Sequence, residues 1–130
     1  VNAKLLRVVL THIEDHPDLL DTTTYGEVRP SGEIAADVAG RALLESGWTL
    51  VADNTFKSPD GDREVSGYQD IENEAQAALG LTDEELWDGG DWDTLFDLPA
   101  GEAVKRLREL AEQAEAAVAN ALGMERMLRG

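Results

Sequence analysis

The chain has 130 residues, 27 of them Asp or Glu and 11 Lys or Arg, which leaves a formal net charge of −16. A hydrophobic content of 42% supports one folded domain with a real core rather than a disordered acidic tail. The charge argues against direct nucleic-acid binding, which needs Lys and Arg against phosphate, and the absence of cysteine removes disulfides, thiolate zinc sites and cysteine nucleophiles.

Asn2 is placed to cap a first helix running to about His16, where Pro17 forbids continuation. Leu5, Leu6, Val9, Leu10 and Ile13 recur at three- and four-residue spacing and share one face. The next stretch, PDLLDTTTYGEVRP, reads as a loop anchored by Leu19, Leu20 and Tyr25. Ser31 is then expected to open a second helix, SGEIAADVAGRALLESG, closed by Gly47, with Ile34, Val38, Ala42 and either Leu43 or Ala39 inward. Its small residues Ala35, Ala39 and Gly40 suit close approach by another element.

After Gly47 the period changes from helical to alternating, which predicts a β-hairpin or small antiparallel ribbon over about 48–66, with Ser58-Pro59-Asp60-Gly61 as a turn. A hairpin of this size is marginal alone and must pack on the helices. A third helix is expected over YQDIENEAQAALG, with Ile71, Ala75, Ala78 and Leu79 inward and Gly80 as its stop. Thr82 then caps a short fourth helix whose first turn holds Asp83, Glu84 and Glu85, where the helix dipole favours acids, and Gly89-Gly90 would end it. A long last helix is expected from about Pro99 to Leu122 or beyond. The expected fold is therefore mainly α with a small β-hairpin (α+β), residues 1–98 forming a compact helical domain and 99–130 a long C-terminal helix packed on it and in part projecting.

No apolar run reaches the length of a membrane span, and the amphipathic N-terminus lacks a small-residue cleavage site, so a cytoplasmic protein with no membrane partner is expected. Two histidines, His12 and His16, stand four apart on a helix, but Glu14 does not directly follow the first and no third ligand is evident. His16 is explained by the favourable charge at a helix C-terminus. The aspartates of PDGDRE (Asp60, Asp62) and WDGGDWD do not follow the twelve-residue calcium loop, and Asp-Gly pairs ordinarily serve turn geometry. No Ser-His-Asp arrangement, phosphate loop or dinucleotide fingerprint is present. No catalytic residue, metal or cofactor is assigned on these grounds, and the chain is expected to fold without metal.

The informative segment is LTDEELWDGGDWDTLFDLPAGE, which lies inside a stretch from Glu64 to Val104 devoid of Lys and Arg. Asp83, Glu84, Glu85, Asp88, Asp91, Asp93 and Asp97 form a candidate partner-binding acidic surface. Trp87, Trp92 and Phe96 between them are read as buried anchors of a helix-turn-helix corner, the alternative being an exposed aromatic hot spot. In the last helix an apolar seam of Val104, Leu107, Ala111, Ala114, Val118 and Ala121, widened by Ala103, Leu110, Ala117 and Met124, continues past the point where one domain covers it. Ala114, Ala117, Val118 and Ala121 are accordingly candidates for a homodimer helix, although alanine's high intrinsic propensity would also let this segment stand exposed.

HIEDHPDLLD, ADVAGRALLESGW and IENEAQAALGLTDEELWDGGDWDTLFDL follow one another in an order that resembles a family of small uncharacterised proteins from actinobacteria and their phages. Members of that family run from an HIE-x-HP helix, through a motif ending in Ala-Gly, to A-x-x-LLGLT-x-E-x-x-x-LF, and the resemblance covers roughly the first hundred residues. Family members often carry cysteines around the position of Ala39-Gly40, where this chain has none. The resemblance implies a helical fold and a phage or actinobacterial origin, and it implies no activity. Together with the charge, it leads to the expectation of a small acidic accessory factor that engages a basic host or phage protein, in a stronger form by presenting carboxylates at phosphate-like spacing. Two alternatives stand beside it: an assembly protein that oligomerises through the C-terminal helix, and a carboxylate-based enzyme or metal protein.

Overall fold

A computed structural model describes residues 2–87 and 94–129, with side chains described as far as residue 123. In chain order the elements are α1 (Ala3–Asp15), a 3-10 turn (Pro17–Leu19), β1 (Glu27–Val28), β2 (Ile34–Ala35), α2 (Val38–Glu45), β3 (Thr49–Ala52), β4 (Thr55–Lys57), β5 (Glu64–Val65), α3 (Tyr68–Leu79), α4 (Asp83–Leu86), a second 3-10 turn (Leu95–Asp97) and α5 (Ala100–Arg129). The protein is mainly α with a small antiparallel β part and a long C-terminal helix.

Helix α1 begins where the side chain of Asn2 accepts the N–H of Leu5 at 3.0 Å, and its buried face is Leu5, Leu6, Val9, Leu10 and Ile13. The backbone N–H of Asn2 also donates to the carbonyl of Leu79 at 2.8 Å, joining the start of α1 to the end of α3. Helix α5 runs antiparallel along α1, with Arg7 paired to Glu115 and Arg108 to Glu14. Leu107, Leu110, Ala111 and Ala114 are buried on that side.

Helix α2 starts later than the sequence suggests. Ile34 and Ala35, expected in its first turns, form β2 and pair antiparallel with β1 in the register Glu27 to Ala35 and Val28 to Ile34. Gly32, at φ +87°, turns the chain between the two strands in a conformation no right-handed helix contains. Asp37, not Ser31, is the cap: its carboxylate accepts the N–H of Gly40 at 2.8 Å. The helix then buries Val38, Ala39, Ala42 and Leu43 together. Both α2 and α3 end on left-handed glycines, Gly47 (φ +102°) and Gly80 (φ +67°). In each case the next N–H reaches back five residues, from Trp48 to Leu43 and from Leu81 to Gln76.

Of the two forms expected after Gly47, a hairpin or a small antiparallel ribbon, the chain forms the ribbon, with three strands. β4 pairs with both β3 and β5, so the Ser58–Gly61 turn is the second reversal and Asp53-Asn54 the first. Phe56, central in β4, is fully buried and ties the ribbon to the helical core. Asn54, at φ +55°, also anchors the loop ahead of β1, since its side-chain oxygen accepts from the Thr24 hydroxyl and the Tyr25 N–H, each at 2.8 Å. That loop presses on α2 at Gly40, where a Cβ would lie 1.6 Å from the carbonyl oxygen of Tyr25.

Helix α5 passes through Gly123 without a break. Thirty residues make it about 45 Å long, whereas the thirteen of α1 cover about 20 Å. Burial accordingly stops at Ala114, and Ala117, Val118, Ala121 and Leu122 are exposed. Ala114 was a candidate for a dimer contact but is part of the chain's own core.

Candidate functional site

The base-free stretch from Glu64 to Val104 supplies α3, α4, the second 3-10 turn and the start of α5. Helix α3 turns Ile71, Ala75 and Leu79 inward. Its other side brings Tyr68, Glu72 and Gln76, at successive four-residue spacings, with Gln69 and Asn73 beside them, to a cleft of about 400 Å³. Asp83, Leu86 and Trp87 line the cleft from α4 and its end, and Thr94 and Asp97 from the second 3-10 turn.

Helix α4 is a single turn held by a reciprocal capping box. The Thr82 hydroxyl accepts the Glu85 N–H at 3.2 Å, and the Glu85 carboxylate accepts the Thr82 N–H at 2.9 Å. Glu85 is thereby occupied in the fold, whereas Glu84 is exposed. Asp83 accepts from the side-chain amide of Gln76 at 2.9 Å, and the same amide nitrogen donates to the Leu81 carbonyl at 3.1 Å. In this one turn Leu86 takes the inward position, which leaves its neighbour Trp87 facing out at 43% exposure. The expectation that Trp87 is a buried anchor is therefore wrong, while Phe96 is buried at 4%. Asp88, Asp91, Trp92 and Asp93 lie outside the described residues, as does the Gly89-Gly90 stop.

Asp37 stands close enough to Glu72 and Asp97 to feel their charge. Burial pushes its carboxyl up to about 8, the neighbouring acids add to the shift, and the N–H of Gly40 opposes it. Glu72 is raised in the same way, by burial first and then by the charge of Asp97, against the hydroxyl of Tyr25, which donates to it at 3.3 Å. The Tyr25 hydroxyl is itself raised, by burial and then by Glu72 and Asp37. Acidic groups thus converge on this side of α3. The arginines whose side chains are described are engaged elsewhere: Arg29 with Asp21, Arg41 with Glu45, Arg63 with Glu74 and Arg106 with Glu109, besides the two pairs between α1 and α5. Among the described residues no ion pair reaches Asp37, Glu72, Asp83 or Asp97.

The remaining sequence candidates fall apart from this cleft. His12 and His16 have ring centroids 5.0 Å apart, with His12 pushed down chiefly by burial, and His16 is the C-terminal cap of α1. Among the described residues no group of three or more His, Asp or Glu side chains is arranged to hold a metal ion. Asp60 closes its turn by accepting from the Ser58 hydroxyl and from the N–H of Asp62 at 3.0 Å.

Sequence reasoning found Asp83, Trp87 and Asp97 of the cleft but missed Tyr68 and Glu72. The readable signal was the stripe Tyr68-Glu72-Gln76 opposite the apolar face of α3, with an aromatic where a solvated face is ordinarily polar throughout. Compared with protein-family models, curated proteins and solved structures, the chain matches none.

Proposed function

We propose that this protein is a small acidic accessory factor, of phage or actinobacterial origin, that works by binding a basic protein in the cytoplasm. The supporting observation is the surface built from the base-free stretch: Glu72, Asp83 and Asp97, which have no ionic partner among the described residues, beside the exposed rings of Tyr68 and Trp87. Glu72 is half-buried and feels the charge of Asp97, and a cationic surface laid against the two relieves that repulsion. Aromatic rings at the same place supply contact area that a merely solvated acidic face lacks. In a panel of basic and acidic proteins, binding is expected for basic members alone and should weaken steeply between low and physiological salt. Binding indifferent to salt, or shared equally by acidic proteins, would remove the basis for this reading.

The apolar exposure of α5 beyond Ala114 favours a second and compatible reading. Val118 and Leu122, one turn apart, are each 52% exposed. A pair of such helices, one from each of two copies, would cover them. Sedimentation of the full chain is expected to show a dimer at high micromolar concentration, converted to monomer by Val118→Lys with Leu122→Lys. A wild-type chain that remains monomeric there leaves assembly through α5 without support.

A further inference from the structure

Resting on the reading of a basic partner, we infer that the cleft between α3 and α4 is a receptor for an arginine side chain of that partner. Three features of the cleft select the ligand. The first is charge: Glu72, Asp83 and Asp97 line it, no Lys or Arg is among its described lining residues, and Arg29, Arg41, Arg63 and Arg106 are paired to other acids. The second is the pair of exposed aromatic residues that line it, Tyr68 at 61% and Trp87 at 43% exposure, the residue type on which a cation stacks. The third is size, since about 400 Å³ falls at the small end of ligand clefts and suits one side chain rather than a folded surface.

A bound metal ion is disfavoured because no three ligating side chains are grouped among the described residues. Between the two basic side chains, guanidinium fits better than ammonium. It is planar and weakly hydrated, stacks on aromatic rings, and donates in two parallel bonds to a carboxylate, whereas ammonium is a compact and strongly hydrated point charge. Glu72 is the carboxylate best placed to discriminate. It is half-buried and near Asp97, so a cation beside it relieves the repulsion between the two acids.

The test uses the full chain and two labelled peptides of equal charge, hexa-arginine and hexalysine, in fluorescence anisotropy at fixed salt. Wild-type protein is expected to bind hexa-arginine about tenfold or more tighter than hexalysine. Glu72→Gln and Trp87→Ala should each weaken hexa-arginine about tenfold, while Glu27→Gln with Glu33→Gln, two exposed acids outside the cleft, should change it by less than about twofold. Glu72→Gln keeps an acceptor for the Tyr25 hydroxyl and removes a repelling charge, so its unfolding midpoint should not fall; loss of binding in that variant is then not loss of fold. Equal binding of hexalysine overturns the assignment to arginine. Equal binding of hexa-arginine by all variants overturns the cleft but leaves the proposed function standing. Failure of both peptides and of every basic protein overturns both.

Discussion

Gly40→Ala is expected to unfold the protein or to cost upwards of about 3 kcal/mol, far more than the same change at a solvent-facing helical position. A Cβ at this position would lie 1.6 Å from the carbonyl oxygen of Tyr25 and 3.1 Å from the Cβ of Ala36. The first neighbour is backbone and cannot rotate away. It is held from both sides, by Asn54 through the N–H of Tyr25 and by the N–H of Asp37, which donates to the Thr24 carbonyl at 3.0 Å. Relief therefore requires the whole loop ahead of β1 to lift off α2, taking Tyr25 away from Glu72. Gly101→Ala is the matched control, because it is also helical and a Cβ there meets nothing within 4 Å. Removing a glycine from a helix should leave that variant as stable as wild type or more so. Urea unfolding of both variants decides the point, and two equal midpoints would show that the loop yields at little cost.

Asp37→Asn is expected to raise stability at pH 8 by up to about 5 kcal/mol and to leave it nearly unchanged at pH 4. The folded-state pKa of Asp37 is raised to about 8 from an ordinary value of 3.8, chiefly by burial. Between those two values the unfolded chain carries an ionised Asp37 while the native state holds it protonated, so folding takes up a proton. The contribution is fully present below the unfolded value and is lost as pH rises through the folded one, at up to about 1.4 kcal/mol per pH unit. The raised pKa of Glu72 acts with the same sign. Asp21 and Asp60 are held low and act in the opposite sense, but both are solvated and contribute little. Asparagine caps a helix as well as aspartate does and has no charge to bury, so it should keep the bond from Gly40 and flatten the slope. Asp37→Ala, which loses the cap, should be less stable than Asp37→Asn at every pH by about 1 kcal/mol. Denaturation curves at several pH values between 4.5 and 8.5 test this, and parallel pH dependences for wild type and Asp37→Asn would assign the slope to other groups.

What could be read along the chain was decided by interactions between near neighbours. The buried face of α1 follows from the spacing of Leu5, Leu6, Val9, Leu10 and Ile13, because four residues bring a helix back to the same side. Gly80 stops α3 and Thr82 starts α4 through bonds that span at most five residues, so both were legible. The strand at Ile34-Ala35 was not, since its alternative to a helical turn is a partner strand across Gly32, and the apolar spacing of IAADVA suits either state. Asn54 gave no sign of its second role, because the loop it anchors lies about thirty residues earlier. The end of burial at Ala114 depends on how far α1 reaches alongside α5, a length set at the other end of the chain. The cleft depends on distance in the same way. Asp83 and Asp97 announced themselves by composition, but Glu72 and Asp37 acquire their raised pKa values only once α2, α3 and the second 3-10 turn are packed together. Charge repulsion and desolvation act through space, and no local pattern along the chain encodes them.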